Sequence, residues 1–343
     1  MKIFNAVSNL IIQWFKLKIV HPVVAVGRII FTAGMVGGLG LVISSTIKDV
    51  PIAIEFSSGS GMLLSLVAVV VGMITMIYGA TLSVKSCRSE IIYLQGLPAS
   101  APSIPDSALG KPYSLHGPHS TVLKVSDESP EKAISDLNGA CKSILEHALI
   151  NQNYDKIFFA GFARIPCIFS IAAMFRGCGV DVEALERFKS PAKWARLSDF
   201  DTVEKPEISL SDDISSYVSE GREVGIAISI TGDISSDELP DYISKHTKIF
   251  QLSPKVKNEA FTVKSHLDDF AMEFKELIDA LSKRADIIHL FISAQSALVF
   301  ALGRMYQEGM HSKIVVHNYS PDIRQYSWAV QIDNGDVSLY TRE

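Results

Sequence analysis

The residues equipped for chemistry stand just after apolar runs. Arg164 follows KIFFAGFA, Thr231-Gly232 follows VGIAISI, and Gln295-Ser296 follows IIHLFISA. Hydroxyls and backbone N–H groups at such ends, above all at a helix start, hold phosphate oxygens. Ser229 adds a hydroxyl, Asn318 a carboxamide and Arg324 a guanidinium at neighbouring strand ends. Phe162, Tyr319 and Tyr326 offer rings on which bases stack. These types suit recognition of phosphate and base rather than bond making. Ser293, Ser296 and His317 would supply a nucleophile and a base, but no third member or elbow motif accompanies them. The chain has no GxGxxG after a strand, no GxxxxGK[ST], no GxSxG and no HExxH. Nine histidines show no metal-ligand spacing, and Cys87, Cys141, Cys167 and Cys178 form no CxxC. The expectation is a binding protein without catalytic residue, metal or cofactor. Asp127, Asp212, Asp213, Asp268 and Asp269 read as solvated acids.

The elements carrying these ends alternate between strand and helix. Strands are expected at 120–126, 156–163, 224–231, 248–253, 287–294 and 313–320, with short final strands at 326–332 and 336–341. Helices are expected from Pro130 to about Asn151, over 166–176, 239–246 and 265–284, and from Gln295 to Glu308. Residues 180–222 resist assignment. Continuous apolar strands between helices imply mainly parallel sheets covered on both faces. The order repeats: KIFFAGFA with its PCIFSIAAMFRG helix parallels IIHLFISA with its QSALVFALGR helix. Two fused Rossmann-like halves follow, about 120–222 and 223–343. In open α/β sheets ligands sit outside the carboxyl ends of the strands. Here those ends are Ser126–Pro130, Gly161–Ile165, Thr231–Ile234, Ala294–Ser296 and His317–Pro321.

A different texture precedes this domain. The 343 residues carry net charge -5, yet residues 1–94 carry +4 and the remainder -9. The acidic larger part excludes a general DNA or RNA coat, which needs a broad basic footprint. Mean hydropathy is +0.23, and its first source is two uncharged runs at 29–47 and 57–84. Each is long enough for a helix across a bilayer core about 30 Å thick. Lys2, Lys16, Lys18 and Arg28 before the first run, and Lys85 and Arg88 after the second, predict that both termini and the large domain face the cytoplasm. The stretch around Trp14, Phe15, Lys16 and Lys18 is either an interfacial segment or an early start to the first span. Gly34 and Gly38 in the first run, and Gly61, Ser65, Gly72 and Gly79 in the second, recur at helical steps. Such small-residue faces allow close packing, within a hairpin or between chains. Neither span has a central ionisable residue, which argues against a transporter. Residues 95–119, with five prolines, read as a linker.

The segment IIHLFISAQSALVFALGRMYQEGMHSKIVVHNYSPDIRQYSWAVQID resembles the SAVED domain, a cyclic-oligonucleotide sensor of bacterial anti-phage systems. His289-Leu290-Phe291, Ala301-Leu302-Gly303, Val316-His317-Asn318-Tyr319 and Tyr326 carry the likeness. Gln295 departs from it, standing where the family often has proline. The resemblance implies two CARF-like halves and a cyclic di-, tri- or tetranucleotide in the cleft between them. With the N-terminal hairpin, it implies a transmembrane effector of the bacterial inner membrane. Such an effector would assemble as a homo-oligomer and disrupt the bilayer when a nucleotidyltransferase makes the messenger. The contacts expected are Phe162, Arg164, Ser229, Thr231, Gln295, Ser296, Asn318, Tyr319 and Arg324. The competing readings are a membrane-tethered Rossmann-like enzyme acting on nucleotides or nucleotide sugars, a ring nuclease, and an anchored protein-binding domain.

Overall fold

The computed structural model describes residues 26–34, 60–86, 89–97, 103–110, 113, 119–144, 154–176, 179–189, 192–200, 203–210, 222–244, 247–254 and 261–342. The chain divides into two compact units, Met1–Cys87 and Arg88–Glu343.

In the first unit, helix α1 covers 26–34 and helix α2 covers Ser60–Ser86. Glycines let their backbones touch. A Cβ on Gly34 would lie 2.8 Å from the Val69 nitrogen, and one on Gly72 would lie 2.5 Å from the Phe31 nitrogen. Gly72, Met76 and Gly79 are buried, while Leu63, Leu66, Val70, Ile74 and Ile77 are exposed. The small face is thus covered and the bulky apolar face open, the reverse of a helix on a water-soluble core. Among the described residues no helix is long and apolar enough to cross a membrane. Of the expected first span only 29–34 is described, and Gly38 lies outside the described residues. In α2 a continuous run of described side chains covers only 65–79; Ser65 is half-buried there, and Gly61 lies in the first turns.

The second unit holds two sheets. The first contains β1 (Ser89–Gln95), β2 (His119–Lys124), β3 (Lys156–Phe162), β4 (Asp181–Lys189) and β5 (Ala192–Arg196), in the order 2-1-3-4-5. The second contains β6 (Ile208–Leu210), β7 (Glu223–Ser229), β8 (Lys248–Pro254), β9 (Ile287–Ser293), β10 (Lys313–Ser320), β11 (Gln325–Asp333) and β12 (Asp336–Leu339), in the order 12-11-10-9-7-8-6. The stretches 2-1-3-4-5 and 8-7-9-10-11 have the same order. In each, four parallel strands end on an antiparallel neighbour. The internal repeat expected from KIFFAGFA and IIHLFISA is therefore a repeat of topology.

Helices α3 (Pro130–Ile144), α4 (Ile165–Met174), α5 (Asp241–Ser244), α6 (Lys264–Leu281) and α7 (Ser296–Arg304) complete the unit. The main core joins both halves through α4 and α7. Phe159 from β3 stacks on Phe300 from α7 at 4.2 Å. Gly303 permits the approach: a Cβ there would sit 2.5 Å from the Phe169 carbonyl oxygen and 2.7 Å from the Ala172 Cβ. Gly303→Ala is accordingly expected to lower stability by about 1–3 kcal/mol through overpacking. Guanidinium denaturation monitored by tryptophan fluorescence checks this, and an unchanged midpoint would refute it.

Two boundaries differ from the sequence reading. The anchor is expected to run to residue 94 and the linker to start at Gln95, but Ser89–Gln95 is β1, hydrogen-bonded to β2 and β3. A buried parallel strand is a continuous apolar run, so EIIYL is not distinguishable from the apolar helix before it. The described part of 95–119 contains a 3-10 turn at Asp106–Leu109, whose Ala108 and Leu109 pack under Ile91, Phe158 and Trp194. The halves part between Arg196 and Ile208 rather than at 222, because β6 pairs with β8. The unassigned stretch 180–222 holds β4, β5 and β6.

Candidate functional site

Three of the five strand ends converge on one cavity of about 180 Å³. The β2–α3 turn supplies Ser126, Asp127, Glu128, Ser129 and Pro130, with Ala133 behind them. Arg164 comes from the end of β3, Asn318 and Ser320 from β10, and Trp328 from β11. The cavity therefore draws on both halves.

The turn is built by its own polar atoms. Ser129 caps α3, its Oγ accepting from the Lys132 N–H at 3.3 Å. The Ser126 N–H donates to Asp136 at 2.8 Å and its Oγ accepts from Glu128 N–H at 3.2 Å. Arg164 forks onto Asp127, with Nε–Oδ1 at 2.7 Å and Nη2–Oδ2 at 3.1 Å. This is the bidentate carboxylate geometry that fixes both partners. Asn318 is only 3% exposed. It lies opposite Trp328 across the β10–β11 pair, where the register shifts between Asn318 and Tyr319. Such bulges re-aim side chains.

The other expected contacts lie elsewhere. Gln295 clamps the Phe261 backbone, accepting its N–H at 3.1 Å and donating to its carbonyl at 3.4 Å. The start of α7 is already filled by a carboxylate from the other half. Glu186 Oε2 accepts from Ala297 N–H at 2.9 Å and from Ser296 Oγ at 3.4 Å. The expected phosphate loop at Gln295-Ser296 is thus closed by an internal anion, which the helix dipole favours as it would a phosphate. Ser229 is buried and accepts from the Ile234 N–H at 3.2 Å. Thr231 is exposed, its hydroxyl 3.2 Å from that of Ser293. Phe162 lies under the Arg187 guanidinium at 4.8 Å. Tyr319 points to the opposite face from Asn318, donating to Glu238 at 3.2 Å beside Tyr326. Neighbours along a strand face opposite ways, so the two cannot share one pocket. Arg324 sits exposed in the β10–β11 turn with φ 52°. Of the nine expected contacts, the cavity gathers Arg164 and Asn318. The lining residues not expected as contacts are the 126–130 turn, Ala133, Ser320 and Trp328. Asp127 was legible as part of a strand-end loop; Trp328 was not, because only strand pairing sets it across from Asn318.

Among the described residues no group of three or more His, Cys, Asp or Glu is placed to hold a metal ion. Buried His289 and His317 meet at 3.0 Å between Nδ1 and Nε2, away from the cavity residues and under Phe291.

The profile of the SMODS-associated and fused to various effectors sensor domain (SAVED) matches residues 142–332, more than half of the chain. The chain belongs to the SAVED family. The clear likeness over 287–333 and the looser one expected over roughly 120–343 thus meet a family match over 142–332, which reaches into the first half. Similar solved structures include the Acinetobacter baumannii Cap4 SAVED/CARF-domain containing receptor with the cyclic trinucleotide 3'3'3'-cAAA, at 14% identity and TM-score 0.46. The same receptor with 2'3'3'-cAAA is similar at 16% identity and TM-score 0.47. Each match covers 78% of this chain and 58% of the other, so this chain accounts for somewhat over half the length of those chains. No curated protein matches the sequence.

Proposed function

We propose that this chain is a membrane-anchored receptor for a cyclic oligonucleotide, acting in anti-phage defence. The observation that carries the reading is the membership of a sensor-domain family together with a cavity shared by the two halves at their strand ends. The ligand is a cyclic di-, tri- or tetranucleotide made by a partner nucleotidyltransferase. The anchor is the helical pair of the N-terminal unit, seated in the bacterial inner membrane with the sensor cytoplasmic. Two features support it: the uncharged runs 29–47 and 57–84, and the open apolar face of α2. Ligand binding favours a homo-oligomer, which brings anchors together and disrupts the bilayer. The ligand shifts that equilibrium only by its preference for the assembled state.

The test uses the full chain reconstituted in lipid. A panel of cyclic di-, tri- and tetranucleotides is expected to include one that stabilises the sensor, by about 2.7 kcal/mol at a hundred times its Kd. Dye release from vesicles is expected only with that member. Stabilisation by none would overturn the receptor reading. Stabilisation without leakage would keep the receptor and remove the membrane effect.

A further inference from the structure

The repeat between the halves shows what is peculiar about Asn318. Arg164 and Gln295 are equivalent N-caps, with φ/ψ of −60°/143° and −64°/148°. Lys156 pairs with Asp181 as Ile287 pairs with Lys313, so Glu186 on β4 and Asn318 on β10 hold matching positions. Glu186 spends its carboxylate on the Ala297 N–H of the opposite half. The residue matching Ala297 is Pro166, which has no N–H to give. Asn318 therefore lacks the partner its counterpart has. Its side chain makes no hydrogen bond among the described residues, although the residue is 97% buried and lines the cavity. The carboxamide opens onto the cavity, so water or a ligand there meets its donors and its acceptor.

What meets it is constrained by its surroundings. Among the described residues the one cation lining the cavity, Arg164, is already forked on Asp127, and Glu128 adds a second carboxylate. Among the described lining residues a phosphate would face two acids and no uncommitted cation. A nucleobase would not: its amino group donates to carboxylates, and its flat face suits Trp328. The size agrees, since a cavity of about 150 Å³ already admits one aromatic ring and this one is about 180 Å³. A carboxamide matches adenine, donating to a ring nitrogen and accepting from the neighbouring amine.

We infer that the cavity at the seam is a nucleobase subsite in which Asn318 reads the amino edge of adenine, while the ligand's phosphates lie outside it. This rests on the receptor reading and gives it a base preference. Arg164 is then a positioning residue that holds Asp127, not a phosphate clamp.

The test measures binding to the full chain by calorimetry. The probes are cyclic triadenylate, triguanylate and triuridylate, with dinucleotide and tetranucleotide rings of the same bases. An adenine ring is expected to bind about 10- to 100-fold more tightly than a uracil ring of the same size. Asn318→Ala and Asn318→Asp are expected to erase that margin. A ring carrying N6,N6-dimethyladenine, tested on the unaltered protein, should lose a comparable factor whether or not the variants fold. Equal affinity for adenine and uracil rings, a guanine preference, or indifference to dimethylation overturns the inference while leaving the receptor reading in place. If no ring binds, adenosine monophosphate decides. Binding that Asn318→Ala weakens keeps the base site and removes the cyclic ligand; no binding overturns both.

Discussion

Replacing Glu183 with alanine is expected to lower the unfolding free energy by about 3 kcal/mol, because it strands the buried Lys156 and takes the main partner from the half-buried Arg196. Glu183 lies on β4 and is 5% exposed. Its Oε1 accepts from Arg196 Nε, and its Oε2 accepts from Arg196 Nη2 at 2.9 Å and stands 2.6 Å from Lys156 Nζ. Lys156 is 6% exposed and sits near the rings of Tyr113 and Phe158. Burial pushes the Glu183 carboxyl upward, but its bonds to Arg196 and Lys156 outweigh that and hold it below the usual range. Asp181, at 3.0 Å from Lys156, is exposed and replaces little of the lost charge. Guanidinium denaturation followed by tryptophan fluorescence reads the effect, since Trp194 and Trp328 both lie in the second unit. A loss under about 1 kcal/mol would show that water reaches the cluster. The companion variant Lys156→Met, Glu183→Leu, Arg196→Met should recover most of the loss, because removing all three charges leaves none unpaired.

Acid is expected to weaken the second half well before its carboxylates titrate. Burial, and then the nearby Arg342, bring His289 down to about 4. Burial, and then His289, bring His317 well below its ordinary range. Around them stand Glu223, Tyr242, Tyr340, Phe291 and Tyr326. Glu223 Oε2 is 3.7 Å from His289 Nε2, beyond hydrogen-bond reach, so burial prevails over the attraction. Both rings are thus neutral in the folded chain at pH 7, one donating to the other. Unfolded, each histidine takes a proton near pH 6.5, so between about 4 and 6.5 the unfolded state binds more protons. Stability is complete above about 6.5 and falls as the pH drops toward 4. His289 alone accounts for about 3 kcal/mol of the fall. Denaturation midpoints at pH 7.5, 6, 5 and 4.5 give the slope, and His289→Phe should flatten it. A midpoint constant down to pH 5 would mean that the pair is hydrated in solution.

The strands of both halves were legible because buried parallel strands are runs of apolar residues between turns. The missed strands show where that signal fails. In β4, DVEALERFK mixes five charged residues with four apolar ones, and several of those charges are internal. Lys156, Glu183 and Arg196 satisfy one another, while Glu186 reaches across to α7. A charge pattern reads as surface until its partners are known, and those partners lie on other elements. The helix start at Gln295-Ser296 failed for the same reason. The motif was sound for an anion, but the anion is supplied by residue 186 of the same chain.

The sequence by itself determined the alternation of elements, their repetition, the position of the strand ends and the contrast between an uncharged basic-flanked piece and an acidic α/β piece. These depend on local composition and period, which survive in one dimension. Only the tertiary structure decided which strand ends meet. Asn318 and Tyr319 are adjacent in the chain yet face opposite sides of a sheet, whereas Asp127, Arg164 and Asn318 are far apart in sequence and share one cavity. The physical reason is pairing: sheet register and the α4–α7 contact settle which polar groups satisfy one another. The carboxamide of Asn318 is left open by a proline on a helix of the other half.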